Sequence, residues 1–246
     1  GQPVVLGSEV SASVFQRAAA LACDVHQLGR EFAVEPEEDA AHWRYRGCLG
    51  DFPGLPQGNL AAANCALGIH AALRLHSLAS APTAVAQAAV VAAMANATLP
   101  GRMERITFRD REFLLDVAHN PAAAKFLAGE IAARYPGRRV VALLGSLRDK
   151  DTQGVMANLS GVVDAWFGVD VAGPRGLSAR ELARRLGEQG TLVAAGDAPA
   201  ALERAHSATQ PGDVILVCGS FGLVDAAATQ LRQWMSAGHG SGGRRG

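Results

Sequence analysis

Residues 112–121 read Glu112-Phe-Leu-Leu-Asp116-Val-Ala-His119-Asn120-Pro121. An apolar run ends on a carboxylate, and five residues later Pro121 takes a position where only a first helical turn accepts it. Asn120 stands where an N-cap belongs. The stretch therefore reads as a buried strand, a polar turn and a helix start. The same grammar repeats downstream. Arg139-Val-Val-Ala-Leu-Leu144 leads through a charged loop to a helix near 152–160. Val162 to Val169 is an apolar strand. Ser178-Ala-Arg-Glu181 is a capping box, with Gly187 at the expected C-cap. Asp197 caps another helix with Pro199 in its first turn, and Asp213-Val-Ile-Leu-Val-Cys218 is a buried strand before a helix from Phe221 to about Trp234. Strands alternating with helices predict an α/β fold: a Rossmann-like, mostly parallel sheet with helices on both faces.

Working back towards the start, the grammar changes at Pro100-Gly101. Pro3-Val-Val-Leu-Gly7 reads as a strand. A helix follows with Val14, Phe15, Ala18, Leu21 and Ala22 on one face. Glu31–Val34 and Trp43–Tyr45 are short β-like pieces, Asp51–Gly58 is a Pro/Gly-rich turn region, and two Ala-rich helices cover roughly 60–77 and 82–97. This stretch has too few strands to close a sheet of its own. The expected division is 1–98, 99–235, and a Gly/Ser/Arg-rich, disordered tail over 236–246.

Composition narrows the function classes. Twenty-three Lys and Arg balance 23 Asp and Glu, so no global field draws nucleic acid or an anionic membrane. No apolar run reaches the roughly 18 residues that span a bilayer, and a cytoplasmic protein is the default. The four cysteines (Cys23, Cys48, Cys65 and Cys218) form no CxxC pair and have no His cluster beside them in sequence, which argues against a disulfide framework or a zinc site; no metal ligand is assigned. Cys65 and Cys218 read as small buried hydrophobes.

Ligands of open parallel sheets bind at the carboxyl ends of strands. Asp116 and His119 stand at one such end and suit a ribose and an anionic substrate. Gly219-Ser220-Phe221 stands at another, where Ser220 is either a helix cap or a hydroxyl aimed at an anion. Asp149, Lys150 and Asp151 crowd one loop, equally consistent with solvated charges and a cap at Asp151. Leu99-Pro100-Gly101-Arg102 offers a guanidinium after a tight turn, for phosphate or for an interdomain salt bridge.

Taken in order, Leu99-Pro100-Gly101-Arg102, Asp116-Val-Ala-His119-Asn120-Pro121, Asp149-Lys150-Asp151 and Gly219-Ser220-Phe221 resemble the bacterial dihydrofolate synthase/folylpolyglutamate synthase family of the Mur ligase superfamily. Gly173-Pro174-Arg175-Gly176 resembles the same family's C-terminal domain. The resemblance extends to about Trp234. Residues 1–98 would be the later part of the family's central ATPase domain, incomplete, and 99–235 its glutamate ligase domain. It implies an ATP-dependent ligase that adds L-glutamate to dihydropteroate and to folate tails through an acyl phosphate, using ATP and Mg²⁺, as a monomer. By that resemblance Arg102 contacts ATP phosphates, Asp116 the nucleotide near its ribose, and Asn64 (or Asn59) the nucleotide as well. His119 and Ser220 place the incoming glutamate. The family's P-loop, of GxxGKGS/T type, does not occur in residues 1–246, nor do the residues that hold Mg²⁺. The expectation is a C-terminal portion that is inactive alone. Two alternatives stay open: a peptidoglycan-precursor ligase and a non-catalytic nucleotide-binding remnant. A nicotinamide dehydrogenase is disfavoured, because no GxGxxG follows a strand.

Overall fold

The structure is a computed structural model that describes residues 1–39, 41–79, 85–186 and 192–239. The chain divides into two compact units, Gly1–Leu99 and Pro100–Gly246.

The second unit is built on a six-stranded sheet. Its strands are β6 (Glu104–Phe108), β7 (Arg111–Asp116), β8 (Val140–Leu144), β9 (Ala165–Val169), β10 (Leu192–Gly196) and β11 (Val214–Cys218), in the order β10-β9-β8-β11-β7-β6. All neighbours are parallel except the β6–β7 hairpin. β8 and β11 are buried at every residue. Strands covered on both faces need such continuous Val/Ile/Leu runs, because neither face meets water. Alternate side chains then divide between two cores. Leu114, Ala142, Leu144, Leu216 and Cys218 face α4 (Pro121–Arg134), α5 (Thr152–Leu159) and α6 (Ala179–Leu186). Phe113, Leu115, Leu143, Ile215 and Val217 face α7 (Ala198–Ser207) and α8 (Phe221–His239).

Three expectations need correction here. The edge strand β6 was not foreseen. It pairs with β7 across Arg109-Asp110, both at positive φ (48° and 59°), a turn made without the Gly that usually marks one. β10 was likewise not foreseen. Finally, α8 runs to His239, past the Ser236 at which a tail was expected; the Ser236 hydroxyl bonds back to the Gln233 carbonyl, and Trp234 stacks on Phe108. Residues 240–246, and the expected C-cap Gly187, lie outside the described residues.

The first unit holds β1 (Pro3–Leu6) and β2 (Asp24–Gln27) as a parallel pair, and β3 (Phe32–Pro36), β4 (His42–Gly47) and β5 (Gly50–Pro56) as an antiparallel sheet. It also holds α1 (Ala12–Ala20), α2 (Ala62–Leu78) and α3 (Gln87–Asn96). It does close a sheet of its own, and the Pro/Gly-rich stretch taken for a turn region is mostly the edge strand β5. Its prolines are tolerated because an edge strand leaves half its N–H groups unpaired, while Phe52 and Leu55 anchor it in the core. α1 ends a turn early. Leu21 is 54% exposed and Ala22 takes φ 49°, so only Ala18 of the expected face is buried.

A further correction concerns the cysteines. All four are free, but β2 and α2 bring His26 and His70 beside Cys48. Residues 22 and 44 positions apart in sequence carry no spacing signature, so the cluster is visible only in the fold.

Candidate functional site

Cys218 pairs with Asp116 on one side and with Leu144 on the other, so β7, β11 and β8 end level. From these level ends the chain departs in opposite directions. β7 and β8 feed α4 and α5 on one face, and β11 feeds α8 on the other. A crevice opens where neighbouring strands send their helices to opposite faces, and it is the expected binding place of a parallel sheet. Gly219, at φ 103°, is required there. A Cβ would lie 2.4 Å from the Gly145 carbonyl oxygen, so only glycine lets the two strand-end turns meet.

Asp116 organises one wall. It is 7% exposed, and its two carboxylate oxygens accept from the Met103 amide (3.0 Å) and the Ala118 amide (2.8 Å). The Val117 amide donates to the Gly101 carbonyl at 2.9 Å. The Gly101–Met103 turn is thereby tied to the end of β7. Burial pushes the Asp116 carboxyl above its usual range, while the two amide donors and the nearby Arg102 oppose that rise.

The tie presents Arg102. Its guanidinium lies 5.2 Å from the Phe221 ring centroid, and one of its nitrogens donates to the Gly101 carbonyl at 3.1 Å. The His119 ring stands 6.1 Å from the same phenyl ring, and its Nδ1 lies 3.2 Å from the Val117 carbonyl oxygen, so Nδ1 carries the proton in that contact. Phe221 is 62% exposed. A large aromatic left in solvent at a helix start, touched by a cation and an imidazole, is the feature that sequence alone did not single out.

Ser220 and Asn120 both act as caps. The Leu223 amide donates to Ser220 Oγ at 3.2 Å, and the Ala123 amide to Asn120 Oδ1 at 2.8 Å. Accepting that bond leaves the Ser220 hydroxyl hydrogen to be donated elsewhere. The remaining first-turn amides of α4 and α8 have no intrahelical partners, which suits an anion. Arg102, Asp116, His119 and Ser220 thus sit on adjoining strand ends of one unit.

Asp149, Lys150 and Asp151 serve the loop itself. Asp149 accepts two bonds from the same Arg175 nitrogen, at 2.9 and 2.8 Å, which holds its carboxyl below the usual range. Lys150 Nζ lies 3.9 Å from Asp149, and Asp151 caps α5 through the Gly154 amide. The Gly173–Gly176 turn closes on this loop through Arg148 N to Arg175 O (2.8 Å) and Leu177 N to Ser146 O (3.0 Å). Asn64 is exposed in the first turn of α2, and Asn59 stands in the loop before that helix, both in the first unit. A cavity of about 520 Å³ in the second unit lies at the far end of the sheet around Tyr135–Val140 and Ser160–Asp164. Its arginines are already engaged, Arg138 with Glu112 and Arg139 with Asp213. The strand-end crevice is therefore the better candidate.

Comparison with known proteins agrees with this geometry. Residues 101–221 match the model of the Mur ligase glutamate ligase domain. The chain is 35% identical over 182 residues to the dihydrofolate synthase/folylpolyglutamate synthase of Escherichia coli K12, covering 74% of this chain and 41% of that protein. It is 27% identical to the Haemophilus influenzae protein of the same name, covering 90% and 54%. Among solved structures, E. coli FolC in complex with DHPP and ADP superposes with a TM-score of 0.77 at 29% identity, over 96% of this chain and 54% of that one. The bifunctional folylpolyglutamate synthase/dihydrofolate synthase of Yersinia pestis complexed with AMPPNP and Mn ion gives 0.74 at 30%, over 97% and 53%. The chain spans about half the length of these relatives. Residues 101–221 thus carry the glutamate ligase domain of the Mur ligases on this crevice, and the chain is similar over most of its length to the dihydrofolate synthase/folylpolyglutamate synthases.

Proposed function

We propose that this chain supplies the glutamate-receiving part of an ATP-dependent amide ligase. That ligase adds L-glutamate to dihydropteroate and to (tetrahydro)folate tails through an acyl-phosphate intermediate. The observation that carries the proposal is Arg102, held over Phe221 at the end of β7 with His119 on the same ring. A fixed guanidinium suits a phosphate through its planar fork. The chemistry asks chiefly for positioning and charge neutralisation, and the residues present can supply both. Arg102 meets the ATP phosphates. His119 and the Ser220 hydroxyl orient the incoming glutamate, aided by the α8 N-terminus. Asp116 holds the Arg102 turn and borders the ribose, and Asn64 is assigned to the nucleotide by the family resemblance alone. Mg²⁺ belongs to the same phosphate chemistry. Asp116 and Asp149 are already bonded to amides and to Arg175, so no metal ligand is assigned to them. Residues 1–246 contain no P-loop, and on its own this chain neither hydrolyses ATP nor joins glutamate.

The division 1–98 and 99–235, as a partial ATPase domain and a glutamate ligase domain, is part of the same proposal. It is supported by the boundary between the compact units at Leu99/Pro100. Among the described residues no helix is long and apolar enough to cross a membrane.

Calorimetry with ADP, beside an assay of ADP release from ATP, dihydropteroate and glutamate, tests the reading. ADP binding that weakens roughly tenfold or more in Arg102→Ala, the loss of a charge-assisted contact of about 1.5–3 kcal/mol, is the expected result. Unchanged binding in Arg102→Ala would remove that residue from the phosphate site. Turnover by this chain alone would overturn its inactivity.

A further inference from the structure

Three side chains from three elements converge inside the first unit. His26 is in β2, Cys48 is in the tight β4–β5 turn, and His70 is in α2. One ligand atom of each lies within 4.8 Å of the others. His26 Nδ1 is 2.8 Å from His70 Nε2 and 4.0 Å from Cys48 Sγ. His70 is fully buried, His26 is 9% exposed and Cys48 is open to solvent. None of the three has a part in the ligase reading.

The outer nitrogens are fixed. His26 Nε2 lies 3.3 Å from Asp24 Oδ2, and Arg74 holds that carboxylate. His70 Nδ1 lies 2.7 Å from the Tyr45 hydroxyl, and Phe32 stacks on the His70 ring with centroids 4.1 Å apart. These contacts determine the tautomers. An Asp24 carboxylate only accepts, so His26 Nε2 carries the proton and Nδ1 carries a lone pair. His70 Nε2 then donates to that lone pair, and Tyr45 donates to His70 Nδ1. His26 is already in the form a metal binds, with its carboxylate partner of the kind that orients ligating histidines.

We propose that His26 Nδ1, His70 Nε2 and Cys48 Sγ bind one divalent ion of the zinc class, with water as the fourth ligand. Two imidazoles and a thiolate suit Zn²⁺ or Co²⁺, and they do not suit the hard, oxygen-seeking Mg²⁺ of phosphate chemistry. Tetrahedral bonds of about 2.0–2.1 Å to nitrogen and about 2.3 Å to sulfur place ligand atoms roughly 3.3–3.6 Å apart. The present separations of 2.8 and 4.0 Å straddle that range and all three atoms lie within 4.8 Å of one another, so side-chain shifts without backbone rearrangement would close the site. On binding, the Cys48 S–H bond breaks and one proton leaves to solvent as the metal–sulfur bond forms. The His70 proton moves from Nε2 to Nδ1, where the Tyr45 oxygen accepts it. The ion joins the β1–β2 pair, the three-stranded sheet and α2, and the exposed Cys48 is its way in. The role is structural.

The test is a Co²⁺ titration of the chelator-treated full chain, followed by Zn²⁺ competition. Expected are the visible bands of tetrahedral Co²⁺ and a thiolate-to-cobalt charge-transfer band, saturating at one equivalent and displaced by Zn²⁺. Cys48→Ser, an exposed turn position that should fold, loses the charge-transfer band and weakens Zn²⁺ binding by roughly tenfold or more. Cys23→Ser keeps both. Tyr45→Phe keeps the band with weakened affinity. Octahedral-type spectra, a charge-transfer band that survives Cys48→Ser, or one that disappears in Cys23→Ser would each overturn the site.

Discussion

The two units bury their centres in different ways. In the second, the inner strands β7, β8 and β11 place almost only carbon inside, and polar groups wait at the strand ends. In the first, a polar line runs inward from the partly exposed Arg74–Asp24 pair through His26 and His70 to Tyr45, each bonded to the next. A carbon core loses stability in proportion to the volume removed, and its neighbours relax partly into the gap. A buried hydrogen-bonded line holds only while every member keeps its partner, because an orphaned group bears its full desolvation cost. The contrast also separates roles. The apolar sheet is a rigid platform whose chemistry sits at its rim, whereas the first unit keeps reactive groups inside.

The largest effect should come from the dry side of this contrast. Phe113 is fully buried in β7 between the sheet and α8. Phe113→Ala should cost about 3–5 kcal/mol, seen as lost amide protection in β11 under native-state exchange in urea. A cost below about 1 kcal/mol would mean that this core is not close-packed, and the comparison would fail on its stronger side.

The polar line predicts a smaller loss from a much smaller change. Tyr45→Phe removes one oxygen and no carbon, and it leaves His70 Nδ1 buried without its donor. The expected cost is about 1–3 kcal/mol, read as faster exchange of the α2 amides. A cost near zero would show that the line contributes nothing beyond its packing, and the distinction between the two interiors would disappear.

The same contrast explains what could be read in the sequence. β7, β8 and β11 were legible because strands covered on both faces are uninterrupted apolar runs, and four of the unit's helices announce themselves at Asn120, Asp151, Ser178 and Asp197. The capping box is a case where every bond follows: Ser178 Oγ accepts from the Glu181 amide, and Glu181 bonds back to the Ser178 amide. The edge strands β5, β6 and β10 were not legible. Glu104–Phe108 alternates exposed and half-buried residues, and Gly50–Pro56 hides two anchors, Phe52 and Leu55, among turn formers. For the candidate site, sequence named Arg102, Asp116, His119 and Ser220 but not the ring between two of them, because an exposed Phe has no periodicity to betray it. The His26–Cys48–His70 cluster was unreadable in principle, since nothing at positions 26, 48 and 70 marks them as neighbours until β2 and α2 pack.

The smallest expected effect lies at the surface of the second unit, where a charge helps the carbon core from outside. Glu181 accepts from the Ser178 amide and hydroxyl and pairs with Arg148, and these contacts lower its carboxyl to about 2. The ordinary value is 4.5. A depressed folded value means that the unfolded chain binds the proton first as pH falls. The contribution is therefore complete above pH 4.5 and drains away between pH 4.5 and about 2. Glu181→Gln keeps a side-chain acceptor for the cap but has no charge to titrate. Its urea midpoint, followed through the amides of α6, should fall less steeply over that pH interval than the parent's, with only a slight difference above it. Parallel slopes would mean that the cap is neutral in its effect, and that the second unit owes its stability to the carbon interior alone.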